Sequence, residues 1–499
     1  MDAPLPSAAA PAAERLSHAD IRVILIGVML AMFLGALDQT IVATALPTIG
    51  REFGDMHALS WVVTAYLLTS VVVTPLYGKL SDIHGRRPML LIAIGVFLVG
   101  SVACALARDL YVLIGARAFQ GLGGGALISL GQTIIGDIVP PAERGRYQAY
   151  FATVFMTSSI GGPVLGGLFA EYLHWSFIFW INLPLGLAAW LMTSSVLKRL
   201  PRHEQPHRID VLGALLMLAA TVALLVALTL GGEFYAWDSP QILGLLALSV
   251  VGWALFGWRL ASAAEPFIPL SVLGDQVVRC GVISLFFAVG ALVGLSVFIP
   301  IYFEAVLGLS AAASGTALIA LMGGAVAGAT LAGRVMARQP RYKWVAVTGL
   351  GIATVVTLLL AIFPSSLPFV GVEIVLAIIG IGLGTVFPIT VTSIQNAVPL
   401  RQLGTTTGVL NFARSLGGAI LLPAFSAVFI AGASAGAGEA SVQSIILNGA
   451  AAGQDLGTVF SGVFYAAALA LFIAFAFQAR MKEMPLRKAL DVGEAQAGH

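Results

Sequence analysis

The chain has 499 residues, of which 59% are hydrophobic and only 10% charged, with a formal net charge of +2 and a mean hydropathy of +0.95. A soluble domain carries about 25% charged residues, so this composition excludes an ordinary globular enzyme or a nucleic-acid-binding protein and implies a polytopic membrane protein. The two cysteines, Cys104 and Cys280, sit in or beside apolar runs and form neither a zinc spacing nor a disulfide framework; both read as packing residues.

Residues 1–20, rich in Ala and Pro, read as a mobile tail without the basic start of a signal peptide. From there, apolar windows near 20 residues recur along the chain and predict fourteen spanning helices. Six lie at 22–48, 58–78, 89–107, 110–138, 147–171 and 175–197. Two more, at 209–230 and 241–260, belong to an insert covering 198–275, whose ends are the polar stretches KRLPRHEQPHR and AAEPFIPLSVLGD. The last six lie at 277–303, 312–337, 344–364, 369–393, 405–430 and 457–479. Removing the insert leaves a half at 21–197 and a half at 276–480, followed by a polar tail at 481–499. Six plus six is the layout of a transporter whose substrate site lies between two related halves near the midplane. The Gly, Ala and Ser-rich segment 432–456 reads as a flexible outer loop.

Basic residues orient the chain, because Lys and Arg in short loops resist translocation. With the N-terminus inside, all but four of the 26 Lys and Arg are cytoplasmic: Arg51 and Arg108 face outward, and Arg117 and Arg414 lie within helices. The expectation is therefore a multi-pass protein of a bacterial inner membrane with both termini cytoplasmic.

An aspartate within the first apolar run then stands out. MFLGALDQTIVATALPTIG, residues 32–50, carries Asp38 near its middle, where an ionised group costs about 2.5–3.5 kcal/mol even on lenient insertion scales. At 1.5 Å per residue, Asp38 lies roughly 15 Å below the outer end of its helix and Arg117 roughly 12 Å below the outer start of the fourth, so the two can meet. Such a pair suits either a proton switch or a buried structural ion pair.

The loop after the second helix reads GKLSDIHGRRP, residues 78–88. Gly78 and Gly85 permit tight backbone geometry, Asp82 can cap or pair with a neighbouring helix end, and Arg86 and Arg87 hold the inner face. In the fourth helix RAFQGLGGG places Arg117, Gln120 and Gly121 together, and in the fifth SSIGGPVLGGLF places Gly162, Pro163, Gly166 and Gly167. Glycines four apart let helices approach closely, and proline lets a helix bend.

These stretches resemble, in order, the cytoplasmic-loop, fourth-helix and antiporter motifs of the major facilitator superfamily. LDQTIVATALPTI (37–49), HWSFIFWINLPLG (174–186) and NFARSLGGA (411–419) resemble patterns of its fourteen-helix drug:proton antiporter family. The chain departs from the patterns at Ile83, Ser158 and Ser176, where a basic residue, a glycine and an arginine are usual. The resemblance implies an all-α major facilitator fold of two six-helix halves plus two inserted helices. It also implies export of lipophilic or cationic compounds in exchange for protons by alternating access. No cofactor is expected beyond the proton gradient. Asp38 and Arg117 are then the proton-coupling pair, the 78–87 loop residues the inner gate, and the glycine–proline group of the fifth helix the bending element.

Further candidates remain open in role. Asp137 suits pairing with Arg144 and Arg146, a solvated helix end, or gating. Glu304 suits a wet rim or a second proton site. Arg414 suits a gate, a substrate contact or a helix break. Gln120, Trp61, Tyr66 and Phe412 are candidates for substrate contact or gating, and with Phe179, Trp180, Phe287 and Phe387 the aromatics suit a cavity for flat lipophilic cations. The absence of an acid between Ala311 and Arg334 argues for monovalent or neutral substrates.

An enzyme or an ATP-driven pump is a weak rival reading. Gly432 to Gly436 matches Gly-x-Ser-x-Gly only in a low-complexity loop, and no phosphate-binding loop exists for ATP. A proton-coupled importer, an exporter dedicated to one metabolite, or a non-transporting sensor on the same fold are the competitors, since fold does not fix function. A periplasmic adaptor and outer-membrane channel are conceivable partners for an exporter.

Overall fold

The computed structural model describes residues 18–54, 58–196, 210–232, 234–309, 311–365, 367–433 and 456–486. The expected N-terminal tail as far as residue 17, the basic loop 198–208 and most of the outer loop (434–455) lie outside these residues. Fourteen described helices are long and apolar enough to cross a membrane, matching the expected number. We label them α1 (His18–Phe53), α2 (Trp61–His84), α3 (Arg86–Ala105), α4 (Leu110–Ile138), α5 (Pro141–Tyr172), α6 (Asn182–Val196), α7 (Val211–Leu230), α8 (Pro240–Ser262), α9 (Gln276–Ala305), α10 (Ala311–Arg338), α11 (Lys343–Ile362), α12 (Phe369–Ala397), α13 (Leu403–Ala433) and α14 (Leu456–Arg480).

Helix is the form that satisfies every backbone group within one segment in hydrocarbon. The ends are set by side chains. Asp109 accepts the Val112 N–H at 2.8 Å to begin α4, and Asp275 accepts Val277 and Val278 N–H groups at 2.7 and 3.1 Å to begin α9. Gly85, at φ 89°, makes the turn between α2 and α3 that a Cβ would strain. The fifth helix starts six residues earlier than its apolar run, at Pro141, because proline suits the first helical position. The sixth begins as a separate turn, Phe177–Trp180, before α6 itself.

In the first six helices α4 packs on α2 and α3, and α1 on α5 and α6; in the last six α10 packs on α12, α9 on α13 and α14, and α11 on α12 and α14. The two groups meet along α2 with α13 and α5 with α10. Each seam thus joins the second helix of one group to the fifth of the other. Helices α7 and α8 pack on each other and lean on α2 and α13, where Met217, Phe256 and Leu260 bury against Leu76 and Val409. Asp210 caps α7 and pairs with Arg259 of α8 at 3.0 Å, tying the inserted helices together.

The polar end expected to trail free from about Pro485 is in part pinned. Glu483 accepts the N–H groups of Tyr342 and Lys343 at 2.6 and 2.8 Å, capping α11. Asn396 donates to the Pro485 carbonyl, and Tyr342 donates its hydroxyl to that of Met484. Burial pushes the Tyr342 phenol up, which keeps it a donor. Residues 481–486 are thus a strap across the end of the second group rather than a tail, because the first backbone groups of α11 need an acceptor.

Candidate functional site

Asp38 and Arg117 meet. Their side chains are 0% and 1% exposed, and Arg117 Nη1 lies 2.6 Å from Asp38 Oδ2. The other carboxylate oxygen accepts from Gln120 Nε2 and Asn182 Nδ2, both at 2.9 Å. Helices α1, α4 and α6 therefore each contribute one or more groups, and α3 adds Ser101, whose hydroxyl accepts from Gln120 at 2.8 Å and Asn182 at 3.2 Å. Arg117 is anchored independently of the acid. Its Nε donates to the Val62 carbonyl at 3.1 Å, its Nη1 also reaches Gln120 Oε1 at 2.6 Å, and its guanidinium lies 4.2 Å from the Tyr66 ring centre and 5.7 Å from that of Phe179. Cation–π contacts of this kind contribute about 0.5–2 kcal/mol each. The cation keeps partners if the carboxylate loses its charge.

This geometry reassigns two residues. Tyr66 is a wall of the ion-pair site rather than a substrate contact, and Gln120 bridges acid and base directly. Asn182 and Ser101 are participants that residue-by-residue reading did not single out. Asn182 stood inside the quoted sixth-helix pattern, but a neutral amide in an apolar run carries no charge to draw notice. Cys104, read as packing, is buried with its thiol 3.5 Å from Gln120 Oε1.

A second cluster joins the two groups at the end of the bundle that carries the α2–α3 turn, here called the basic face. Asp82 accepts from the backbone N–H groups of Gly404 and Thr405 at 2.9 and 2.6 Å and from the Thr405 hydroxyl at 2.6 Å. It therefore caps α13 across the seam, with the sign the helix dipole favours. Arg86 holds Asp82 at 2.5 Å and Asp137 at 2.7 Å. Asp137 is thus paired with Arg86, while Arg144, in the first turn of α5, donates to the carbonyls of Val139 and Gly136 at the end of α4. Arg87 also leaves the cluster and donates to Ser194 on α6 at 3.3 Å, inside its own group. A Cβ at Gly78 would strike the Gly404 backbone, so α2 and α13 touch there. One layer deeper, Asn411 donates to Gln132 Oε1 at 2.7 Å and Gln395 to the Gln132 carbonyl at 3.4 Å, again across the seam.

In α5, Gly162 and Gly166 do the packing expected of them: a Cβ at either would run into Thr40 or Thr44 of α1, and Thr40 donates to the Ser158 carbonyl at 2.8 Å. Gly167 faces open space, since it is one residue, about 100°, around the helix from Gly166. Pro163 lies inside the helix between them. Phe412, a candidate substrate contact, instead tilts against Trp253 of α8 at 6.2 Å, on the same side of α13 as Val409. Glu304 is exposed at the end of α9, a rim position. Trp61 is half-buried at the start of α2. Arg414 lies between the rings of Phe155 and Phe387, 5.6 and 5.3 Å from their centres.

Residues 28–422 match the Major Facilitator Superfamily. The chain belongs to that superfamily. It is 36% identical over 437 residues to an uncharacterised MFS-type transporter of Mycobacterium tuberculosis, a match covering 86% of this chain and 63% of that relative, so the chain spans under two thirds of that protein's length. It is 33% identical over 406 residues to the multidrug transporter protein MdtP of Bacillus subtilis, covering 81% of this chain and 74% of the relative. The fold is similar to that of a bacterial homologue of the iron transporter ferroportin in an outward-facing state, with a TM-score of 0.63 at 13% identity, covering 93% of this chain and 99% of that one. Membership and the fourteen apolar described helices make this chain a multi-pass membrane protein of that superfamily.

Proposed function

We propose that this transporter exports lipophilic compounds in exchange for protons by alternating access, with Asp38 as the proton carrier. The observation that carries the reading is the fully buried Asp38–Arg117 pair, whose acid is held by two further neutral donors while its base keeps a carbonyl, an amide and two aromatic faces of its own. A merely structural pair has no need of a base that stays solvated by the protein when its partner is neutralised. Adding a proton to Asp38 removes the charge that draws α1, α4 and α6 together while Arg117 stays in place, and losing it restores the pull. The Asp82 cap on α13 and the Gln132, Gln395 and Asn411 layer close the basic face. Opening requires these contacts to break together, and Gly162 and Gly166 give α1 and α5 the close approach on which a rocking motion turns.

Export rather than import is favoured by the resemblance of the α5 motif and by the similarity to the multidrug transporter of Bacillus subtilis. The excess of Lys and Arg on the basic face supports a cytoplasmic position for it and for both chain ends, in a bacterial inner membrane. The test is transport of toxic lipophilic compounds of either charge into vesicles under an imposed pH gradient. Accumulation that collapses with a proton ionophore is expected, and accumulation indifferent to the ionophore overturns the reading.

A further inference from the structure

Arg414 is the one guanidinium within the described membrane interior whose contacts include no carboxylate. Eleven residues into α13, it lies about 16 Å from the basic-face end of that helix, near mid-depth. The Phe155 ring comes from the first group of helices and the Phe387 ring from the second, so the cation sits where the two groups face each other. Its side chain is partly accessible. The acids of the described spans lie elsewhere, Asp82 with Arg86 and the start of α13, and Glu52, Glu143 and Glu171 at the ends of α1 and α5. Asp38 gives one oxygen to Arg117 and the other to Gln120 and Asn182, and Asp137 is bound to Arg86. Glu373 lies fourteen residues from Phe387 along α12, roughly 21 Å away, and Glu304 is exposed near the far end of α9. The floor beneath Arg414 is made of uncharged amides, Asn411, Gln132 and Gln395.

A cation at this depth without a counter-ion is costly, and aromatic faces offset only part of that cost. The missing partner is supplied when something negative enters between the two groups. From this juxtaposition we propose that Arg414, flanked by Phe155 and Phe387, is the recognition site for an amphipathic organic anion: a carboxylate or sulfonate carried on a flat apolar body. The guanidinium takes the anionic head in a forked hydrogen bond, and the rings take the body. The proposal rests on the export reading and narrows its substrates to the opposite charge from the lipophilic cations that the aromatics alone suggested. Asp38 cannot serve a cation instead, since both its oxygens are engaged.

The test uses two probes with one aromatic body and opposite charge, 1-pyrenebutyrate and 1-pyrenebutylammonium, in equilibrium binding to the purified full chain. Wild type is expected to bind the anion more tightly. Arg414→Gln is expected to weaken the anion at least about tenfold, the scale of a lost charge-assisted bond, and to leave the ammonium probe unchanged or tighter. Arg414→Lys should keep most of the anion affinity, and Phe387→Leu should weaken both probes alike. Equal affinity of wild type for the two probes, or equal loss of both in Arg414→Gln with an unchanged melting temperature, overturns the assignment. If Arg414→Gln does not fold, the wild-type preference and the Lys and Leu variants decide. Binding does not require proton coupling, so a failed export reading shows as gradient-insensitive transport with the charge preference intact.

Discussion

Replacing Asp38 with Asn is the sharpest perturbation of the ion-pair site. The substitution keeps the shape and one acceptor oxygen, so Gln120 or Asn182 can retain a bond, but Arg117, 1% exposed, loses its only anionic contact. Removing one member of a buried pair costs about 3–5 kcal/mol. Two things reduce the loss here: the Val62 carbonyl at 3.1 Å and the Tyr66 ring at 4.2 Å both hold the guanidinium. The expected destabilisation is therefore nearer 3 than 5 kcal/mol, and the double variant Asp38→Asn/Arg117→Gln should cost less than the sum of the two single changes. In vesicles, Asp38→Asn should lose pH-gradient-driven accumulation while still exchanging labelled for unlabelled substrate down its gradient. Full gradient-driven accumulation by the variant, or strict additivity of the two single changes, refutes the reasoning.

Three further outcomes follow from the seams and caps. Asp82→Asn weakens a charged cap that also binds Arg86, worth about 1.5–3 kcal/mol. Spin labels on the basic-face ends of α2 and α13 should move to longer distances, whereas an unchanged distribution counts against a latch. Gly162→Ala puts a methyl against Thr40 and the α1 backbone and should destabilise by about 1–3 kcal/mol in thermal unfolding; Gly167→Ala, in open space, should change it by less than about 0.5 kcal/mol, and the reverse order would contradict the packing. Glu483→Gln weakens the cap on α11 and should lower stability by about 1 kcal/mol, read as a lower melting temperature; no change would make the 481–486 strap incidental.

The fold was largely legible because hydrocarbon leaves the backbone few options: each apolar run of bilayer length had to be a helix, and the number of runs gave the number of spans. The meeting of Asp38 and Arg117 was legible for a related reason, since two charges at similar depth in an apolar interior have few places to go. What stayed hidden was neutral or directional. Asn182 and Ser101 carry no charge to betray them. The pairing of Asp137 with Arg86 depended on side-chain reach, and the helix-end carbonyls to which Arg144 donates have no signature in side-chain pattern. Phe412 pointed to the inserted helices because its azimuth on α13 matches Val409, a fact that depth alone does not supply. Glu483 lay in a polar end whose composition matched a free tail, yet the unpaired amides of α11 needed an acceptor there.

The most direct measurement is proton release from purified transporter in weakly buffered solution on adding a transported compound. The proposed mechanism predicts that wild type releases protons on binding and that Asp38→Asn, binding the same compound, releases none. Equal release from both proteins, or none from wild type at saturating compound, contradicts Asp38 as the group that exchanges a proton for substrate.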